Sequence, residues 1–199
     1  MSKLINRIFA LFSNHSAKIQ DEKNKIRQQV RELKSQIPVI QKQNNADTVF
    51  QKIESFPEFQ SAKTILIYWS TPGELPTKKM IEKWCSAKEI FLPSVQGDDI
   101  ILKRYSAQNK LKKGNAGIWE PESADSFVGK IDLVIVPGVA FDRKKNRLGR
   151  GKGYYDRFLL NTMALKWGVG FDCQLFNSIP FSSNDIAMDK IITPAHTID

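Results

Sequence analysis

"IDLVIVPGVAFDRKKNRLGRGKGYYDRFL", residues 131–159, holds a strand at its left end and a chemical device at its right. "IDLVIVPG" at 131–138 is a continuous apolar run, the pattern of a strand buried on both faces of a parallel sheet. A Gly-rich stretch follows, and then a helix from near Tyr154 on which Tyr155, Phe158, Leu159, Thr162 and Met163 share one face. In open α/β sheets ligands bind beyond the carboxyl ends of the strands, so "VPGVAFD" at 136–142 marks the expected place of a site. Gly149, Gly151 and Gly153 allow close backbone approach with amides turned inward, and the helix offers the positive end of its dipole. Arg147, Arg150 and Lys152 add charge-assisted donors suited to phosphate oxygens. This is no Walker loop, because the glycine spacing is too short and Lys152 precedes Gly153 rather than Ser or Thr. The bland alternative is a basic surface turn capping the strand. The paired tyrosines and Asp156 favour a ligand, since a carboxylate in the first helical turn can hold a Mg²⁺ that phosphates share, although it also stabilises the helix dipole unaided.

Working outward, "DEKNKIRQQVRELKSQ", residues 21–36, puts Ile26, Val30 and Leu33 on one face of an amphipathic helix. Pro38 opens a second helix that runs to about Ser55. "TILIYW" at 64–69 reads as a strand, "STPGELP" as a loop, and 77–86 as a helix. Further strands are expected at 89–92, stopped by Pro93, at 99–105, and at 166–171, with a short edge strand at 188–194. "GNAGIWEP" at 114–121 reads as a loop. Strands alternating with helices specify an α/β fold with a mainly parallel central sheet and helices on both faces.

The chain has 199 residues, 41% of them hydrophobic, enough for one domain with a real core, assigned to residues 21–199. Thirty Lys and Arg against 21 Asp and Glu leave a net charge of +9, which points to an anionic partner without choosing among nucleotides, polyanionic metabolites, nucleic acid and membrane surfaces. Cys85 and Cys173 show no paired spacing and fit a reducing, cytoplasmic setting. His15 and His196 belong to no Cys/His cluster, which argues against zinc and against a histidine triad. No apolar stretch is long enough to span a bilayer. Residues 1–20 form a basic extension without an acid, readable as a transit peptide or a membrane-surface helix, while the short apolar run and the lack of a cleavage signature favour an extra basic helix or a frayed tail. No nucleic-acid-binding motif is present, and the chain is read as a monomer acting on a small molecule.

"PGVAFDRKKNRLGRGKGYYDRFL" at 137–159 resembles the signature of the 5-formyltetrahydrofolate cyclo-ligase (5,10-methenyltetrahydrofolate synthetase) family. "KNKIR" at 23–27 resembles that family's ATP-contacting Lys and Arg, and "YWSTPGELPT" at 68–77 its substrate loop, here with Glu74 and Thr77. "GIWEP" at 117–121 resembles its mid-chain loop, and "NDIAMDKIIT" at 184–193 its closing segment with a metal-binding Asp, here Asp189. The matches run in family order from Lys23 to Thr193. Lys145 departs from the pattern, standing where the family commonly has glycine, and the stretch before Asp21 has no counterpart.

The resemblance implies a three-layer fold of the NagB/RpiA-like kind and an ATP-dependent, Mg²⁺-dependent closure of 5-formyltetrahydrofolate to 5,10-methenyltetrahydrofolate. It implies ATP contacts from Lys23, Arg27, Arg147, Leu148, Gly149, Arg150, Gly151, Lys152, Gly153, Tyr154 and Tyr155, and Mg²⁺ on Asp156 and Asp189. Folate contacts fall to Trp69, Glu74 and the stretch Arg150 to Tyr154, with Arg150, Lys152 and Tyr154 at the reacting centre. Each has a plainer reading. Lys23, Arg27 and Arg31 are otherwise a solvated helix face, Trp69 is core, Glu74 is a turn residue or cap, and Asp189 is a surface acid. A non-catalytic module holding a nucleotide or phosphometabolite on the same fold is the rival function.

Overall fold

A computed structural model describes residues 2–199 except 109, 115, 116, 118, 123–125 and 183, with side chains described from residue 17 onward. Two helices lead, α1 (Ser2–Ser35) and α2 (Val39–Ser55), with Pro38 at the α2 N-cap where its missing N–H costs nothing. The short α3 (Pro57–Ser61), β1 (Thr64–Ile67), α4 (Lys78–Trp84), β2 (Glu89–Gln96) and β3 (Asp99–Arg104) come next. Small strands β4 (Leu111–Lys113), β5 (Trp119–Pro121) and β6 (Ser126–Phe127) precede β7 (Leu133–Pro137), β8 (Ala140–Asp142) and β9 (Arg147–Leu148). The chain closes with α5 (Tyr154–Leu160), β10 (Leu165–Val169), β11 (Leu175–Phe176), β12 (Lys190–Ile192) and β13 (Thr197–Ile198).

Among the described residues the main sheet has the order β13-β12-β10-β7-β1-β2-β3-β6. The five strands from β12 to β2 are mutually parallel, and antiparallel strands finish both edges. Alternation along the central strands splits the core in two. Ile65, Ile67, Leu133, Ile135 and Trp167 pack with Val49, Ile53, Phe59 and Ile81 of α2, α3 and α4 on one face. Leu66, Val134, Val136 and Ile191 pack with Leu159 of α5 and Phe141 on the other. The mixed α/β architecture expected from the sequence is therefore present. Asp132, just before β7, aligns that strand with β1: its Oδ2 accepts the Lys63 N–H (2.7 Å), the Thr64 N–H (2.9 Å) and the Thr64 hydroxyl (3.0 Å). The Thr64 N–H leads the interactions that hold its carboxyl below the usual range against partial burial.

Several local expectations fail for physical reasons. The helix expected over 21–36 is the C-terminal half of the longer α1. Pro93 does not stop β2, because the ladder to β1 ends at Phe91 and leaves that edge free for a residue without an N–H, while pairing to β3 continues through Pro93↔Leu102. β12 is an inner strand, with β13 as the edge beyond it. Trp119 to Pro121 pairs with β4 instead of looping, while Asn115, Ala116 and Ile118 of the same stretch lie outside the described residues. α5 ends at Leu160, so Met163 is fully exposed and does not share the buried face of Leu159.

The segment between β7 and α5 is a hairpin rather than a simple turn: β8 and β9 pair antiparallel through Ala140↔Leu148 and Phe141↔Arg147. Asp142, fully buried, organises its tip. Its Oδ1 accepts the N–H groups of Lys144 (2.9 Å) and Asn146 (3.0 Å), and its Oδ2 accepts those of the Asn146 amide (3.0 Å) and the Ile179 backbone (3.0 Å). Lys145 takes φ +67°, the left-handed region that favours glycine, so a lysine here carries a cost in strain.

Candidate active site

A cavity of about 540 Å³ opens at the carboxyl ends of β1 and β7, bounded by Trp69 after the first and Gly138 after the second. Pro93, Val95 and Ile100 form an apolar wall, and Gly149, Arg150, Lys152 and Gly153 form the opposite rim. Gly151 (φ +96°) and Gly153 (φ +71°) need the absence of a Cβ, and the second is the N-cap of α5.

The turn is clamped from outside by α1. Arg27 Nε donates to the Gly149 carbonyl (3.0 Å), and a Cβ on Gly151 would lie 3.4 Å from Arg27 Nη2. Burial lowers the pKa of this guanidinium, with Asp185 opposing the shift. One turn earlier Lys23 is buried and ion-paired to Asp185. Burial pushes the Asp185 carboxyl up, but Lys23 and the N–H and hydroxyl of Ser182 outweigh it and hold the group below its ordinary range. Lys23 and Arg27 thus share a face as the sequence predicts, and Arg31 is exposed.

On the floor Arg147 is 4% exposed. Its Nη2 donates to Asp156 Oδ1 (2.6 Å), its Nη1 to the Pro137 carbonyl (3.3 Å), and its guanidinium stands 5.7 Å from the Tyr155 ring centre. Its Nε and the Tyr155 hydroxyl are buried without a partner among the described residues, two polar groups at a cavity where a bound ligand can satisfy them. Burial keeps the Tyr155 phenol un-ionised far above neutral pH. Tyr154 lines the cavity under the Arg157 guanidinium, 5.4 Å from its ring centre.

Across the mouth Arg150 donates from Nη2 to Thr71 Oγ1 (2.8 Å) and Glu74 Oε1 (2.8 Å). The other oxygen of Glu74 accepts from the Thr71 N–H and hydroxyl, both 2.8 Å. Trp69 packs on Tyr105 with ring centres 5.7 Å apart and turns its free face to the cavity wall. The fold therefore brings Trp69, Glu74, Arg147, Gly149, Arg150, Lys152, Gly153, Tyr154, Tyr155 and Asp156 around one space, with Arg27 and Gly151 directly behind it.

Three sequence-singled residues stand elsewhere. The Leu148 side chain is core, packed in a cluster with Val30 of α1, so only its backbone belongs to the turn. Thr77 is buried and donates to the Tyr68 carbonyl (2.7 Å), holding the loop rather than facing the cavity. Asp189 precedes β12, which is parallel to β10 and β7, and so sits at the amino ends of the strands, opposite the cavity; it is held there by the Lys166 backbone N–H (2.7 Å) and ammonium (3.0 Å). The acid the fold does bring to the Lys23 side is Asp185, four residues earlier. Sequence reasoning also missed Thr71 and Lys34; the latter's signal was its spacing on α1, in helical register with Lys23 and Arg27.

A glycine turn backed by arginines, at the carboxyl edge of a parallel sheet and facing an aromatic-lined cleft, marks an α/β protein with its candidate site where open sheets bind ligands. Residues 19–194 match the 5-formyltetrahydrofolate cyclo-ligase family, and the chain belongs to it. It is 30% identical to the 5-formyltetrahydrofolate cyclo-ligase of Haemophilus influenzae over 181 residues, covering 86% of this chain and 97% of that one. Identity to a probable 5-formyltetrahydrofolate cyclo-ligase of Caenorhabditis elegans is 32% over 198 residues, covering 90% and 96%. The solved structure of Aquifex aeolicus 5,10-methenyltetrahydrofolate synthetase superposes with a TM-score of 0.80 at 32% identity, over 88% of this chain and 91% of the other.

Proposed function

We propose that the protein uses MgATP to close 5-formyltetrahydrofolate to 5,10-methenyltetrahydrofolate, releasing ADP and phosphate, in the cytoplasm and as a monomer. The observation that carries this is the contact of Arg27 with the Gly149 carbonyl, which welds the cationic face of α1 to the glycine turn on the rim of the cavity that Glu74 also lines. A formamide oxygen leaves poorly. Transfer of the γ-phosphoryl group to that oxygen turns it into phosphate, the neighbouring aryl amine attacks the formyl carbon, and the C–O bond breaks as phosphate departs. Such a reaction asks the protein for positioning and charge neutralisation.

Arg150 and Lys152, both exposed on the rim, supply the charge that gathers phosphate oxygens, with Arg27 fixing the turn behind them. Glu74 presents an oxygen to the ring N–H donors of the pterin, and Trp69 and Tyr154 give it flat apolar surfaces. Among the described residues no three of His, Cys, Asp and Glu gather. Asp156, with Oδ1 on Arg147, would hold a Mg²⁺ through its remaining oxygen, and the ion would offset phosphate charge. Asp189 stands at the amino ends of the strands, so this reading gives the ion to Asp156. Unpaired Cys85 and Cys173 suit a reducing compartment, and among the described residues no helix is long and apolar enough to cross a membrane.

Purified protein mixed with 5-formyltetrahydrofolate and MgATP should give an ATP-dependent rise in the near-ultraviolet absorbance of the methenyl product. A folded protein that binds ATP and gives no rise would leave a non-catalytic nucleotide-binding module in place of the enzyme.

A further inference from the structure

Residues 1–18 precede the stretch that matches the family, and the proposed reaction gives them nothing to do. The backbone of α1 nevertheless runs as helix from Ser2. Among the described residues, the hydrogen bonds and ion pairs between α1 and the rest of the chain begin at Lys23, while Ala17, Lys18, Gln20, Asp21 and Glu22 are exposed. At about 1.5 Å per residue, roughly 30 Å of helix precedes the first of these ties. A helical segment of that length is marginal in water alone and gains most of its stability by packing an apolar face.

The sequence supplies such a face. At about 100° per residue, Leu4, Ile5, Ile8, Phe9, Leu11 and Phe12 fall on one half of the helix circumference, and Lys3, Arg7 and Lys18 fall together on the other. No acid occurs before Asp21, and the apolar run is too short to cross a bilayer. Charge selects the occupant. Pairing with the same face of a second copy would bring together two sets of three cations with no acid in the same stretch to offset them. A lipid surface of negative charge takes the apolar half into the acyl boundary and gathers the cations at its headgroups. We propose that residues 2–20 form a membrane-surface anchor that lays the protein on anionic lipid.

The test is co-sedimentation of the full-length protein with phosphatidylcholine vesicles containing phosphatidylglycerol, and with vesicles of phosphatidylcholine alone. Wild type is expected to pellet with the anionic vesicles only, and less as salt rises. Lys3→Gln should lower partitioning about five-fold, the worth of one cation at such a surface. Phe12→Glu should lower it at least about ten-fold, and Phe12→Leu should keep most of it. The urea denaturation midpoint of all three variants should stay at the wild-type value, since α1 is tied to the body from Lys23 onward. Wild type left in the supernatant, or equal pelleting with neutral vesicles, would overturn the proposal. So would a Phe12→Glu variant that pellets like wild type, by assigning the binding to the charge of the body. Sedimentation equilibrium without lipid supplies the rival outcome: a dimer that Phe12→Glu converts to monomer would give the face to a second copy and overturn the membrane assignment.

Discussion

Phe141 is fully buried, and its ring lies on glycine: a Cβ built on Gly168 would stand 2.5 Å from Cε1, Gly138 would meet the same ring more closely still, and Gly170 would meet it at 3.4 Å. Carbon atoms rest at about 3.5–4.0 Å, so Gly168→Ala forces the ring roughly 1 Å aside in a core with no room for it. Overpacking of that kind costs about 1–3 kcal/mol, and a clash with a rigid ring puts Gly168→Ala near the top of the range. At about 2–4 °C per kcal/mol for a chain of this length, the melting temperature should fall by roughly 5–10 °C. Phe141→Leu alone should cost about 1–2 kcal/mol by opening a void. The double variant is the decisive measurement: the smaller Leu makes room for the new methyl, so urea denaturation of all four proteins should give a favourable coupling of about 1–2 kcal/mol. Additivity within about 0.5 kcal/mol would refute the claim that Gly168 is glycine in order to seat this ring.

Lys152→Ala should greatly weaken ATP-dependent turnover at low ATP while leaving the denaturation midpoint unchanged, since the side chain is exposed on the cavity rim; equal activity would remove Lys152 from the site. Lys145→Gly should stabilise the protein by about 0.5–1 kcal/mol in urea titration, because relief of the left-handed conformation exceeds glycine's extra entropy in the unfolded chain. Asp185 has a depressed pKa in the fold, so its contribution is full above the unfolded value of about 3.9 and is lost as pH falls through the lower folded value. Stability measured against pH should therefore show wild type exceeding Asp185→Asn above about pH 4 and the gap closing on further acidification. A gap constant with pH would mean the carboxylate charge is not what Lys23 needs.

What the sequence made legible was what local pattern and spacing control. The apolar run into Pro137 could only be a buried parallel strand, and the glycines and cations after it converge on the cavity as their composition suggests. What stayed hidden depends on neighbours far along the chain. Whether Pro93 ends a strand is decided by where β1 stops pairing, and whether β12 is an edge is decided by β13 folding back on it. Asp189 and Asp185 stand four residues apart in one motif, and only the direction of β12 shows that one faces away from the cavity while the other meets Lys23. Lys34 went unread because a lysine near a helix end is ordinarily solvated, and only the fold shows that it lines the cavity with Trp69 and Glu74.

The described partners of Lys23, Arg27 and Val30 on α1 come late in the chain. Val30 packs with Ala140, Leu148 and Ile179, Arg27 reaches a carbonyl 122 residues away, and Lys23 an acid 162 residues away. At about 5–20 residues per second, roughly 8–30 s of synthesis separate the emergence of Lys23 from that of Asp185. During that interval this part of the helix lacks the partners it docks on, and the glycine rim has no back wall. Assembly of the cleft is thereby tied to completion of the chain: a polypeptide stopped before Asp185 can form much of the parallel sheet, yet it lacks the acid that seats Lys23 and so cannot finish the site.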